Sequence, residues 1–184
     1  MTNTPPHIVL VGLMGTGKTT TARLLAERLH CDVLDTDKLI ESRNGRSVRD
    51  IFADAGEEAF RDLESEMLSE CLARPARSVI AGAGGVVLRD KNRRMLDVAR
   101  NSGHAVVVWL HADPAVLAQR TAKGVHRPLL DADRAGTLVR MADERGPLYA
   151  SVADVVIDVS DRSVESVVEL LIDALDEDQK QAEQ

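Results

Sequence analysis

Eight residues near the start of the chain, Gly12-Leu13-Met14-Gly15-Thr16-Gly17-Lys18-Thr19, carry its most readable chemistry. Their spacing, G-x-x-x-x-G-K-T, is that of a loop that wraps phosphate groups. Glycines let the backbone turn sharply and approach a ligand, so that successive N–H groups point into one concavity and hold an anion. A helix N-terminus behind such a loop adds about half a positive charge. Lys18 can reach the β- and γ-phosphates of a nucleotide, and the Thr19 hydroxyl can ligate Mg²⁺. Gly12, Met14, Gly15, Thr16, Gly17, Lys18, Thr19 and Thr20 are the residues expected to meet the nucleotide. The loop points to a nucleoside triphosphate and is silent on the fate of its γ-phosphate.

Three further groups of residues can do chemistry. Asp35 and Asp37 sit two apart at the end of an apolar run, and residues two apart on an extended chain face the same way. They are a candidate ligand-facing pair, or else an acidic turn that caps the next helix. Gly82-Ala83-Gly84-Gly85 follows another apolar run and suggests close approach of backbone to a ligand, with a plain loop as the alternative. Arg61 and Glu64, three apart in a helical pattern, are within reach of each other and read equally as an exposed ion pair.

The elements that must position these residues alternate. Strands are predicted over His7 to Val11, Cys31 to Asp35, Ser78 to Ala81, Ala105 to Leu110 and Asp154 to Val159. Between them lie helices over Thr19 to Leu29, Asp90 to Asn101 (capped by Asp90), and from Asp113-Pro114 onward. Asp37 to Leu72 carries no strand signal. It reads as helices, with Ser47 capping a short one that Gly56 ends and a longer one following to Leu72. Arg134 to Val152 reads as a long helix that Gly146-Pro147 is expected to kink or split. Ser163 caps a last helix to about Leu175, and the polar tail of residues 176–184 is expected to fray. Such alternation specifies an α/β fold, a five-stranded parallel sheet between helices. The core is expected from residues 7–36, 73–119 and 153–175, a helical substrate-side insertion from 37–72, and a lid from about 120–134, all in one domain.

Composition narrows the class. The chain has 184 residues, 44% hydrophobic and 29% charged, with a net charge of −7. That balance suits one soluble domain and argues against nucleic acid as the main partner, because phosphate backbones favour basic faces. No apolar run is long enough to span a bilayer, so no membrane partner is expected. Two distant cysteines, Cys31 and Cys71, lack metal-site spacing and fit a reducing cytoplasm. A monomer is expected.

Taken together, the motifs resemble those of the shikimate kinases, of the nucleoside monophosphate kinase-like fold, over roughly residues 8–172. The resemblance rests on G-L-M-G-T-G-K-T at Gly12 to Thr19 and L-D-T-D at Leu34 to Asp37. It continues with I-F-A-D-x-G-E-x-x-F-R at Ile51 to Arg61, R-P-L-L at Arg127 to Leu130, and R-x-P-L-Y at Arg145 to Tyr149. It implies ATP-dependent phosphorylation of the 3-hydroxyl of shikimate, a step toward chorismate and the aromatic amino acids. It also implies roles. Lys18 and the lid residue Arg127 act on the transferring phosphoryl group, and Thr19 and Asp35 serve Mg²⁺. Asp37 holds the attacking hydroxyl and takes its proton. Arg61 and Arg145 bind the carboxylate, Gly84 and Gly85 lie against the substrate, and Arg120 lies near the nucleotide. One departure is visible: the family's three glycines after the third strand are Ala83-Gly84-Gly85 here, with Gly82 before them. An alanine there costs about 1 kcal/mol or more if the position needs positive φ. A kinase of another small acid such as gluconate, or a nucleotide-binding regulatory protein, would share the phosphate loop; the set Asp37, Arg61 and Arg145 argues against the latter.

Overall fold

The structure, a computed structural model, describes residues 7–122 and 133–182. Five parallel strands form one sheet: β1 (His7–Val11), β2 (Asp32–Asp35), β3 (Ser78–Ala81), β4 (Ala105–His111) and β5 (Val155–Asp158), in the order β2-β3-β1-β4-β5. β1 is buried along its whole length, as an apolar central strand covered on both faces must be. Its register aligns Leu10 with Ala81 of β3 and Val11 with Trp109 of β4. The carboxyl ends of β1, β2 and β3 therefore stop side by side. Open α/β sheets bind ligands at such ends, where strand order reverses. At the opposite end of the sheet the His7 ring accepts from the Ser78 N–H and holds the Arg74 carbonyl, and burial pulls its pKa down. A neutral imidazole thus ties β1 to β3.

Helices α1 (Lys18–Arg28), α2 (Thr36–Asn44), α3 (Val48–Leu72), α4 (Asp90–Asn101), α5 (Pro114–Thr121), α6 (Arg134–Val152) and α7 (Val164–Ala182) complete the chain. α1 packs on α7, α2 on α3, and α5 on α6. Local signals account for most starts. Ser47 Oγ accepts from the Asp50 N–H at 3.1 Å, and Asp113 Oδ1 accepts from the Ala115 N–H ahead of Pro114. Gly56, at φ 82°, breaks α3 where a helix end was expected. α4 starts one residue early, with Arg89 at the cap and Asp90 in the first turn.

Two sequence expectations need correction. α6 is not split at Gly146-Pro147. Leu138, Met141, Arg145, Tyr149 and Val152 recur every three or four residues and are all buried, and that continuous face holds both halves in one helix despite the bond lost at Pro147. α7 does not end near Leu175 but continues to Ala182. The added residues include no glycine or proline and are mostly good helix formers. With Leu171 and Leu175 anchoring the preceding turns, extension costs little.

Candidate functional site

A cleft of about 660 Å³ opens over the ends of β1, β2 and β3, and most of the chemistry-bearing residues line it. One end is built from backbone. Gly12, Gly15 and Gly17 all take positive φ, at 141°, 86° and 89°. A side chain at Gly12 would also run into the Leu110 carbonyl. The loop therefore needs glycine for shape as well as for access. Lys18 Nζ donates to the carbonyls of Gly12 and Leu13, at 2.8 and 2.9 Å, and so bridges the loop it follows. Gly12 and Thr16 do not face the cleft. The Thr16 hydroxyl donates inward to the Leu13 carbonyl at 2.8 Å.

Thr19 and Asp35 meet at the edge of this loop. The Thr19 hydroxyl donates to Asp35 Oδ2 at 2.7 Å, while Asp35 Oδ1 caps α2 through the Lys38 N–H. Asp35 and Asp37 both line the cleft, but not because they alternate along a strand. α2 begins at Thr36, so Asp37 stands in the first turn of a helix whose cap is Asp35. Thr36 is buried between them. It donates to the Ala81 carbonyl at 3.3 Å and accepts from the Ala83 N–H at 2.9 Å, pinning the end of β2 to β3. Ala83 carries no strain: among the described non-glycine residues only His30 has positive φ.

The other end is built from side chains. Arg61, on α3, is 6% exposed and held by two carboxylates of its own helix. Its Nη1 donates to Glu64 Oε2 at 2.5 Å, and its Nη2 and Nε to Glu57 Oε1 at 2.8 and 3.3 Å. Its Cζ lies 5.8 Å and 5.7 Å from the rings of Phe52 and Phe60, a cation–π setting. The pair with Glu64 is thus not the exposed ion pair that helical spacing also allowed, since Glu64 is 1% exposed. Gly85 passes so close to the Arg61 guanidinium that any Cβ there would overlap it. From the opposite wall, α6 supplies Arg145 and Tyr149. Both donate to the Gly84 carbonyl, at 3.2 and 2.5 Å. Trp109 stacks on Tyr149.

Electrostatics set Glu64 apart. Burial pushes the Glu64 carboxyl up to about 7, against the downward pull of Arg61 and with a further push from Asp37. Burial alone would lower the Arg61 pKa, but Glu64 and Glu57 outweigh it, so its charge is secure. Burial also raises the Tyr149 pKa, which keeps that hydroxyl a donor.

Met14, Gly15, Gly17, Lys18, Thr19, Thr20, Asp35, Asp37, Arg61, Gly84, Gly85, Arg120 and Arg145 all line one cleft. Arg120 hydrogen-bonds through Nη2 to the carbonyls of Val159 and Ser160, beyond β5. Of the lid expected at about 120–134, residues 123–132, Arg127 among them, lie outside the described residues, while Arg120 belongs to the last turn of α5 and Arg134 opens α6. Sequence reasoning missed Glu57, the burial of Glu64, and Tyr149 as a second partner of Gly84. A signal for Glu64 existed. It falls on the stripe of Phe60, Met67, Leu68 and Cys71, where a carboxylate is out of place unless it is paired. Tyr149 had none, because nothing local ties it to a residue 65 positions away.

Known proteins resemble this chain in sequence and in fold. The shikimate kinase family model matches residues 14–176. A shikimate kinase from Symbiobacterium thermophilum is 47% identical over 174 residues, covering 93% of this chain and 97% of its own. The structure of the shikimate kinase from Acinetobacter baumannii in complex with shikimate superposes with a TM-score of 0.88 at 33% identity, over 96% of each chain. A gluconokinase from Sinorhizobium meliloti shares only the fold, with a TM-score of 0.59 at 18% identity over 97% of this chain and 96% of its own. A glycine-rich loop with Lys18 at one end of the cleft, two arginines at the other, and these likenesses over nearly the whole length agree: the chain belongs to the shikimate kinase family.

Proposed function

We infer that this chain transfers the γ-phosphoryl group of ATP to the 3-hydroxyl of shikimate, giving shikimate 3-phosphate and ADP. The observation that carries the reading is the convergence of Arg61 and Arg145, from two distant helices, on a cleft whose other end is the phosphate loop and whose middle holds Asp37. Guanidinium forks suit a planar carboxylate. Acid at one end and triphosphate at the other leave the ring hydroxyls facing Asp37.

In this reading Asp37 holds the attacking hydroxyl. As its oxygen bonds to the γ-phosphorus, the bond to the ADP oxygen breaks and Asp37 accepts the hydroxyl proton. Lys18, already aimed along the loop by two carbonyls, neutralises charge on the phosphoryl oxygens. The backbone at Gly84 and Gly85 lies against the ring. Arg120 approaches the nucleotide, and Arg127 closes from the lid. Thr19 and Asp35 fit Mg²⁺: a hydroxyl and a carboxylate 2.7 Å apart at the loop's edge are hard oxygen donors beside the phosphates. Bound there, the ion would neutralise phosphate charge. The enzyme is proposed to act as a monomer in the cytoplasm. Its two cysteines are unpaired, and the exposed large hydrophobic residues among the described ones, Val33, Val98, Val139, Val156 and Leu170, lie on five different elements.

ADP release measured with ATP alone, with shikimate and with gluconate tests this directly. Release that depends on shikimate is expected. Release with gluconate instead, or none with either acid, overturns the assignment.

A further inference from the structure

The acid end holds one group that the mechanism above does not use. Glu64 is buried, borders the cleft, and is bonded on one oxygen only. Its Oε2 accepts from Arg61, while its Oε1 is sealed from the cleft and has no hydrogen-bond partner among the described residues. A buried carboxylate oxygen left bare makes the charged form costly.

Charge decides what that group meets. Glu64 is faced by Arg61 from its own helix, by Asp37 from α2, and by Arg145 and Tyr149 from α6. Glu57, the other anion near Arg61, is 55% exposed and screened by water. The sheltered charges are then two arginines against Glu64 and Asp37, a balanced set. An arriving carboxylate adds one negative charge that nothing buried offsets. The conflict vanishes if Glu64 is neutral. The arginines then balance Asp37 and the substrate.

We propose that Glu64 takes up a proton as the substrate acid binds, which frees the charge of Arg61 for the substrate carboxylate. Glu64 is thereby a positioning residue for Arg61, and the one that makes affinity depend on pH. The free carboxyl, poised near neutrality by burial, needs little further push. By linkage, binding is then proton-coupled only above the free group's pKa. There the dissociation constant should rise about tenfold per pH unit, until the pKa of the bound form is reached. The proposal rests on the reading of Arg61 and Arg145 as the carboxylate site.

Calorimetric titration of the full chain with shikimate, in two buffers of unlike ionisation heat, tests it. At about pH 8 the wild type should take up close to one proton per shikimate, falling to almost none near pH 6. Glu64→Gln, neutral at every pH, should take up none and keep a flat dissociation constant. It should bind more tightly than the wild type at alkaline pH, which a merely structural role would not produce. A flat wild-type profile without proton uptake overturns the proposal whether or not the variant folds. So does undiminished uptake in Glu64→Gln, which would move the proton to another group such as Asp37. Shikimate binding without uptake defeats this proposal alone; no shikimate binding at any pH defeats the carboxylate site and the proposal with it.

Discussion

The two ends of the cleft are made in opposite ways. The phosphate end is one unbroken stretch, Gly12 to Thr19, and its working groups are largely backbone N–H groups and a lysine that holds its own loop in shape. The acid end is gathered from the first turn of α2, the middle of α3, the turn after β3 and the second half of α6. Its groups are held in place by other side chains: the Arg61 guanidinium by Glu57 and Glu64, and the Gly84 backbone by Arg145 and Tyr149. Triphosphate is common to many reactions, so a self-contained loop serves it. Selecting one acid needs groups converging from several directions, and only packing supplies that.

If the ends are separable, substitutions at each should show in different kinetic constants. The largest effect is expected where they meet. Asp37→Asn should lower kcat by roughly 10²-fold or more while nucleotide affinity stays close to wild type, because the amide cannot take a proton. Turnover within a few-fold of wild type would show that Asp37 is not the acceptor-side carboxylate.

Gly85→Ala and Gly12→Ala form the sharpest pair. The first drives a methyl into the Arg61 guanidinium, and should cut kcat/KM for shikimate by about 10- to 100-fold with little change in ATP KM. The second adds a Cβ at φ 141° against the Leu110 carbonyl, and should raise ATP KM by about tenfold while sparing shikimate KM. Equal shifts in both constants for either variant would mean that the ends are coupled and the comparison fails.

A smaller, pH-dependent effect is expected from the acid end alone. The folded Glu64 pKa lies above its unfolded value, so the folded state holds the extra proton between about pH 4.5 and 7. Stability from this group is therefore full below about pH 4.5 and lost as pH rises through about 7. Denaturant unfolding should show the wild type losing stability relative to Glu64→Gln across that window. A constant difference would mean that Glu64 stays ionised throughout.

The smallest effect should come from Ala83→Gly. Ala83 has no positive φ, and its N–H already serves Thr36, so restoring a third glycine should change shikimate KM by less than about threefold. A large gain in turnover would show that the alanine hinders substrate after all.

Much of this was legible because it is local. The phosphate loop could be read from glycine and lysine spacing, the strands from short apolar runs, and the breaks at Gly45 and Gly56 from glycine itself. Where two local signals competed, the outcome depended on surroundings. Gly146-Pro147 argued for a kinked or split helix, yet the buried face from Leu138 to Val152 outweighed one missing hydrogen bond and the helix is not split. Asp35 and Asp37 do line one cleft, though not by the alternation the sequence suggested. Strand alternation was the visible pattern, but the helix that starts at Thr36 and the hydroxyl of Thr36 are what orient them.

By itself the sequence determined the order of elements, the phosphate loop and the identity of the charged residues, because each depends on neighbours within a few positions and on steric rules every chain obeys. Tertiary structure alone decided that Glu64 loses its water while Glu57 keeps much of its own, though both carboxylates grip one arginine from one helix. It also decided that Tyr149 and Arg145 close on Gly84. Burial and convergence arise from segments far apart in the chain, and the dielectric around a charge follows from what packs over it.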